Sequence, residues 1–166
     1  MKIELIQPFI NSADAVLAEM LQTPPQVSDV TMDADVYRRQ GIAASVTIRG
    51  DIEGRIIFDL SPETAVRLAG GLAGGDVEAT EPLACEAVCE LTNMVIGNAV
   101  TLLNDQGFHF KVYPPEVHTS NEGYSGSQDV EALVMCFDTP SGKVNMNIAM
   151  RYNRRRHEER VSVVSA

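Results

Sequence analysis

Residues 82–105 read PLACEAVCELTNMVIGNAVTLLND, the longest helical pattern in the 166-residue chain. Ala84, Ala87, Val88, Leu91, Met94, Val95, Ala99, Leu102 and Leu103 recur at three- and four-residue intervals, which predicts a helix buried along one side. Glu86, Glu90, Asn93, Gly97, Thr101 and Asn104 fall on the other side, so a carboxylate stands one turn before a carboxamide on the outward stripe. Pro82 opens the segment where its missing N–H costs nothing, and Gly107 closes it.

The flanking segments supply the remaining elements. Upstream, Ser61-Pro62-Glu63 combines an N-cap, a proline at N1 and an acid in the first turn. The helix it opens runs through Ala65, Val66, Leu68, Ala69 and Leu72 to Gly74-Gly75, with an acidic loop from Asp76 to Glu81 behind it. Gly70, Gly71, Gly74 and Gly75 do not form a phosphate loop, because no strand feeds into them and no lysine follows. Before that, Ile42–Ile48 and Arg55–Leu60 predict a hairpin whose turn, Arg49 to Gly54, is bounded by glycines. Residues 1–10 look extended, Asn11-Ser12 offers N-cap chemistry for a helix to about Leu21, and Thr23-Pro24-Pro25 stops it. Val27 to Tyr37 alternates weakly as a strand, with Val30, Met32, Ala34 and Val36 on one side. Downstream, Phe108–Tyr113 reads as a strand and Glu116–Asp129 as an irregular loop. Val130–Asp138 and Lys143–Tyr152 form a second hairpin, with Val144, Met146, Ile148 and Met150 facing one way.

Two hairpins with few alternating βαβ units predict an α+β domain: an antiparallel-rich sheet of about six strands carrying about three helices on one face. A single domain over residues 1–152 and a tail over 153–166 fit the length.

The formal charge of −10 argues against nucleic-acid binding, since such a chain repels phosphate backbones. Arg151, Arg154, Arg155, Arg156 and His157 are followed at once by Glu158 and Glu159, the pattern of a solvated tail. No apolar run reaches the ~20 residues that span a bilayer, and Met1 to Glu4 has too little apolar length before Gln7-Pro8 for a signal peptide. The expectation is a cytoplasmic protein without membrane contact. Cys85, Cys89 and Cys136 show no disulfide-like spacing and suit a reducing compartment. His109, His118 and His157 lie scattered without metal-ligand spacing, so structural thiols are the simplest account of the cysteines.

The outward pair on 82–105 is the candidate for chemistry that the residues offer. Beside it stand the plainer readings of a polar stripe that only faces water and of a cysteine nucleophile with a histidine brought to it by the fold. The Asn93 carboxamide is no base near neutrality, but its C=O accepts and its NH2 donates, so it can hold a water in one orientation. The Glu90 carboxylate can pair with a partner's lysine or arginine. That combination suits a reaction whose difficulty is positioning, such as phosphoryl transfer to water. Gly97, one turn further, costs about 1 kcal/mol relative to alanine in a helix interior. Either a neighbouring helix or a partner pressing on this face would offset it.

Glu90-Leu-Thr-Asn93-Met-Val-Ile-Gly97-Asn98-Ala99 resembles the E-x-x-N…G-N-A helix of the CheX/CheC/FliY phosphatase family, closest to its CheX branch. Pro8 to Asn11 with Val16, Leu17 and Met20, the glycine-turned hairpin 48–61, the helix 65–74 and Pro114-Pro115-Glu116-Val117 resemble its flanking segments in order. The resemblance implies a CheC-like fold and a phosphatase acting on the phosphoryl-aspartate of a CheY-type response regulator. Asn93 would orient the attacking water and Glu90 would pair with the receiver's active-site lysine. Glu86, Gly97 and Asn98 would make partner contacts. The receiver would supply Mg2+, so the chain would bring no metal and no cofactor of its own, and a homodimer is the usual state of CheX-like proteins. A receiver-binding or flagellar-switch module without turnover is the alternative. CheC-type members carry a second motif; here the first helix offers only Glu19 and Gln22, at a helix end.

Overall fold

The computed structural model describes residues 3–33, 37–72, 74, 80–119, 124–125 and 131–153. Its elements run α1 (Ile3–Leu21), β1 (Gln26–Asp33), β2 (Tyr37–Arg38), β3 (Ile42–Gly50), β4 (Ile52–Leu60), α2 (Pro62–Leu72), α3 (Glu81–Asp105), β5 (Phe110–Val112), β6 (Glu116–His118), β7 (Tyr124–Ser125), β8 (Ala132–Thr139) and β9 (Gly142–Tyr152). A seven-stranded sheet has the order β1-β8-β9-β4-β3-β5, with β6 also paired to β3, and β2 pairs β7 separately. Every pairing is antiparallel.

The core follows from register. Val46, Ile56, Ile148 and Leu133 line up across β3, β4, β9 and β8; Ala44, Phe58, Met146 and Met135 form the next row, and Ile42, Leu60, Val144 and Phe137 the third. All are buried, and the apolar stripes of α1, α2 and α3 close over them in one cluster. The expected alternation of Val144, Met146, Ile148 and Met150 is therefore the core face of β9. The four central strands β3, β4, β9 and β8 give these rows of side chains to one layer, and the three helices close over it.

Several boundaries differ from expectation. Residues 3–10 are helical, not extended, so Asn11-Ser12 lies inside α1 and caps nothing. Leu5, Ile6, Phe9, Ala13, Val16 and Leu17 are buried at helical spacing, and that burial outweighs Pro8, whose missing bond would have gone to the exposed first turn. The first hairpin is tighter than its glycines suggest, because only Asp51 lies between β3 and β4. Gly50 does adopt positive φ (147°), but Gly54 sits within β4, where a Cβ would strike the Ala149 carbonyl of the neighbouring strand. Gly54 is thus a close-approach residue rather than a turn residue. Asp51 ties the hairpin tip to the chain beyond α3: its Oδ2 accepts from the His109 N–H at 2.8 Å and its own N–H donates to the His109 carbonyl at 2.9 Å. Strand β1 stops at Asp33, and Val30 and Met32 stay half-exposed on the sheet's edge. Ala34, Val36, Gly75, residues 76–79, most of the 116–129 loop and the tail beyond 153 lie outside the described residues.

Helix α3 is long and apolar enough by composition to cross a membrane, but its buried stripe faces its own sheet and the two other helices. The Ser61 hydroxyl accepts from the Thr64 N–H at the start of α2, as the S-P-E signal predicts, and Thr80 caps α3 through the Leu83 N–H. Within α1, buried Ser12 donates through Oγ to the Val95 carbonyl of α3 at 2.7 Å. That bond locks the two helices side by side at mid-length. Ser12→Ala should lower unfolding stability by about 1 kcal/mol in a denaturant titration; an unchanged midpoint would show that the bond contributes nothing.

Candidate functional site

Helix α3 holds its outward stripe through the way it is buried. Ala84, Ala87, Val88, Leu91, Val95, Ala99 and Leu103 are buried, as expected, and Thr92 and Ile96 join them. Thr92 is fully buried and donates to the Val88 carbonyl at 2.7 Å, so a hydroxyl sits in the core without an orphaned donor. Met94 is only half-buried and Leu102 is 51% exposed, against the expectation for both. In the second half of α3 the buried side is made by Val95, Ile96, Ala99 and Leu103, and Ser12 of α1 meets it at Val95.

The opposite face emerges intact. Glu86, Glu90, Asn93, Gly97, Asn98, Thr101 and Asn104 are all exposed. Glu90 and Asn93 leave the helix three residues apart, about one turn, from the middle of a 25-residue element whose other side is packed. Among the described residues, no hydrogen bond or ion pair engages either side chain. Thr101, by contrast, donates to the Gly97 carbonyl at 2.9 Å and is spent within the helix. A Cβ placed on Gly97 would meet nothing within 4 Å, so no internal packing demands a glycine there. Of the two explanations for Gly97, the neighbouring helix is removed.

The competing chemistry is weak. Cys85, Cys89 and Cys136 are free thiols. Desolvation raises the Cys85 pKa, with a smaller push from Glu81; desolvation also raises that of Cys89, with Cys85 and Glu86 adding to it. Both therefore stay protonated and poorly nucleophilic near neutrality. Among the described residues no group of three or more His, Cys, Asp or Glu side chains could hold a metal ion. The second candidate pair closes its own helix: Gln22 takes a positive φ of 55°, and its Nε2 donates to the Glu19 carbonyl at 2.7 Å. That geometry turns the Gln22 amide onto α1 rather than toward a ligand.

One feature of the site was not anticipated. An open groove runs along the N-terminal half of α3, walled on its far side by Ala69 and Leu72 of α2. The only hint in the sequence is Leu72, a large apolar residue next to the glycines that end α2.

The chain has relatives among known proteins. The family model "Chemotaxis phosphatase CheX" matches residues 42–138. The "CheY-P phosphatase CheX" of Thermotoga maritima is 26% identical over 118 residues, covering 70% of this chain and 76% of that protein. A chain in the crystal structure of the CheX–CheY–BeF3–Mg2+ complex from Borrelia burgdorferi is 31% identical and superimposes with a TM-score of 0.69, over 90% of this chain and 99% of that one. A CheC-like superfamily protein from Shewanella sp. PV-4 shares the fold, with a TM-score of 0.79 at 22% identity over 91% of this chain and 99% of its own. The matched span includes both hairpin strands 42–60, all of α2 and α3 and most of β8, and so takes in the Glu90–Asn93 face. On that match, the chain belongs to the chemotaxis phosphatase CheX family.

Proposed function

We propose that this chain is a phosphatase that removes the phosphoryl group from the aspartate of a CheY-type response regulator, with Asn93 orienting the attacking water and Glu90 gripping the receiver. The observation that carries the reading is the Glu90–Asn93 pair itself: exposed, one turn apart, engaged by nothing among the described residues, and mounted on a helix packed along its other side. The relatives named CheY-P phosphatase and CheX–CheY complex support the choice of substrate. A working place in the cytoplasm accords with three free cysteines. The functional unit is taken to be a homodimer on the family resemblance alone.

The reaction needs little from this protein beyond placement. The Asn93 carboxamide oxygen accepts a hydrogen bond from a water and aims its lone pair at phosphorus, opposite the aspartyl oxygen. As the water oxygen bonds to phosphorus, the P–O bond to the aspartate breaks. The electron pair returns to the receiver's carboxylate, and the water's proton leaves with phosphate or solvent. Glu90 pairs with the receiver's active-site lysine and sets the docked pose, so that Asn93 arrives at the right depth. Mg2+ belongs to the receiver, where it neutralises phosphoryl charge; the Borrelia complex contains this ion together with CheY. Holding Asn93 on a buried helix rather than on a loop limits how far the water can stray, and in a positioning mechanism that limit is the catalytic contribution.

Gly97 and Asn98 extend the contact surface one turn beyond Asn93, and Glu86 extends it one turn before Glu90. At Gly97 the missing Cβ lets the receiver's main chain lie against α3. An exposed glycine at mid-helix is otherwise a net cost to this protein.

Asn93→Ala should cut the rate of phosphate loss from a phosphorylated cognate receiver about a hundredfold without altering the thermal melt; a wild-type time course would refute the water-orienting role. Glu90→Ala should raise KM for the receiver about tenfold, and unchanged affinity and rate together would refute the lysine pairing. Gly97→Ala should stabilise the chain by about 1 kcal/mol and yet weaken receiver binding in a titration. Stabilisation with full affinity would show that nothing presses there.

A further inference from the structure

The groove between α2 and the N-terminal half of α3 has a volume of about 300 Å3 and is lined by Ala69, Leu72, Leu83, Glu86, Ala87 and Glu90. Two of its lining residues, Ala69 and Ala87, are small and buried, and fill little of the space. Leu72 is 44% exposed on one wall, so covering it would remove apolar surface from water. The rim is acidic. Glu86 and Glu90 stand one turn apart, both exposed, and among the described residues neither is held by a hydrogen bond or ion pair. Among the described residues no lysine or arginine lines the space. The groove starts at Glu90 and runs away from Asn93, which makes it continuous with the receiver-facing surface.

We propose that this groove is a specificity subsite that takes one lysine or arginine side chain from the receiver's surface beside its phosphorylation site. The proposal rests on the phosphatase reading and deepens it. A long basic side chain matches both halves of the groove: its methylene stem covers Leu72, Leu83 and Ala87 while its cationic head reaches the rim at Glu86. The two glutamates, four residues apart on one helix, disfavour each other, and a cation brought to them relieves that repulsion. An acidic side chain would be repelled, and a purely apolar one would leave Glu86 facing a surface that cannot solvate it. Glu90 is occupied by the active-site lysine in this scheme, so Glu86 is the carboxylate left to read a second basic residue. Receivers lacking that residue would dock less tightly although their phosphoryl-aspartate is the same. Selection among receivers is thereby separated from the chemistry at Asn93.

The test uses the full-length protein and a phosphorylated CheY-type receiver that it dephosphorylates. Glu86→Gln and Leu72→Ala, both at exposed positions, are compared with wild type by steady-state kinetics at several salt concentrations. Each variant should raise KM about fivefold while retaining kcat, and Glu86→Gln should also flatten the dependence of KM on salt. Unaltered KM in both variants overturns the subsite, as does a loss of kcat at constant KM. Asn93→Ala run alongside separates the two levels. If it is inactive while both groove variants behave as wild type, the groove alone is refuted; if it is fully active, the water-orienting role of Asn93 is refuted and the two groove variants still decide the subsite. If wild type does not accelerate phosphate loss from any CheY-type receiver, the phosphatase reading falls and the subsite with it.

Discussion

Everything at the candidate site depends on the rotation of α3 about its own axis. A helix can present a chosen pair of side chains to a partner only if something forbids it to roll, and here the restraint is hydrophobic. Ala84, Val88, Leu91, Val95 and Ala99 are fully buried against the sheet and the flanking helices. Rolling the helix by a third of a turn would bring several of them into water and drive Glu86, Glu90 or Asn93 toward the core. Burial of large apolar side chains contributes about 1.5–3 kcal/mol each, and an unpaired buried carboxylate costs more still. The exposed stripe is thus fixed by what lies on the opposite side of the helix. Ser12, bonded to the Val95 carbonyl, adds a directional restraint that apolar packing alone lacks.

The sheet serves the same end. Its register rows form a continuous apolar floor across β3, β4, β9 and β8. Glycine at 54 allows β4 and β9 to approach without a side chain between them. Asp51 fastens the hairpin tip to His109, just beyond the C-terminus of α3. With its end tethered and its middle packed, α3 is a rigid ruler, and the separation of Glu90 from Asn93 is set by helix geometry rather than by loop conformation. A mechanism in which the partner brings the electrophile asks mainly for such a ruler. The protonated, poorly nucleophilic thiols at Cys85 and Cys89 are in keeping with that division of labour: they pack beside the stripe and leave the reaction to the positioned amide.

Sequence by itself determined the elements whose signals are local. The periodicity of 82–105 placed both the buried stripe and the outward pair, since 3.6 residues per turn decides which side chains share a face. The Ser61 start, the opening of α3 near Pro82 and the two hairpins are likewise written in cap, proline and alternation chemistry. Other features follow from contacts between segments far apart in the chain. Residues 3–10 have an ambiguous local pattern, and only the core that receives Leu5, Ile6 and Phe9 makes them helical. Gly54 looks like a turn residue until β9 is laid beside it. Leu102 fits the apolar pattern of 82–105 and yet is 51% exposed, because the packed side of α3 there is made by Ile96, Ala99 and Leu103. The groove beside Glu86 belongs wholly to this second class, because Leu72 and Glu86 become neighbours only when α2 packs against α3. Local patterns carry information about a residue's own element; which surfaces meet, and what gap they leave, is decided by long-range packing that no short window contains.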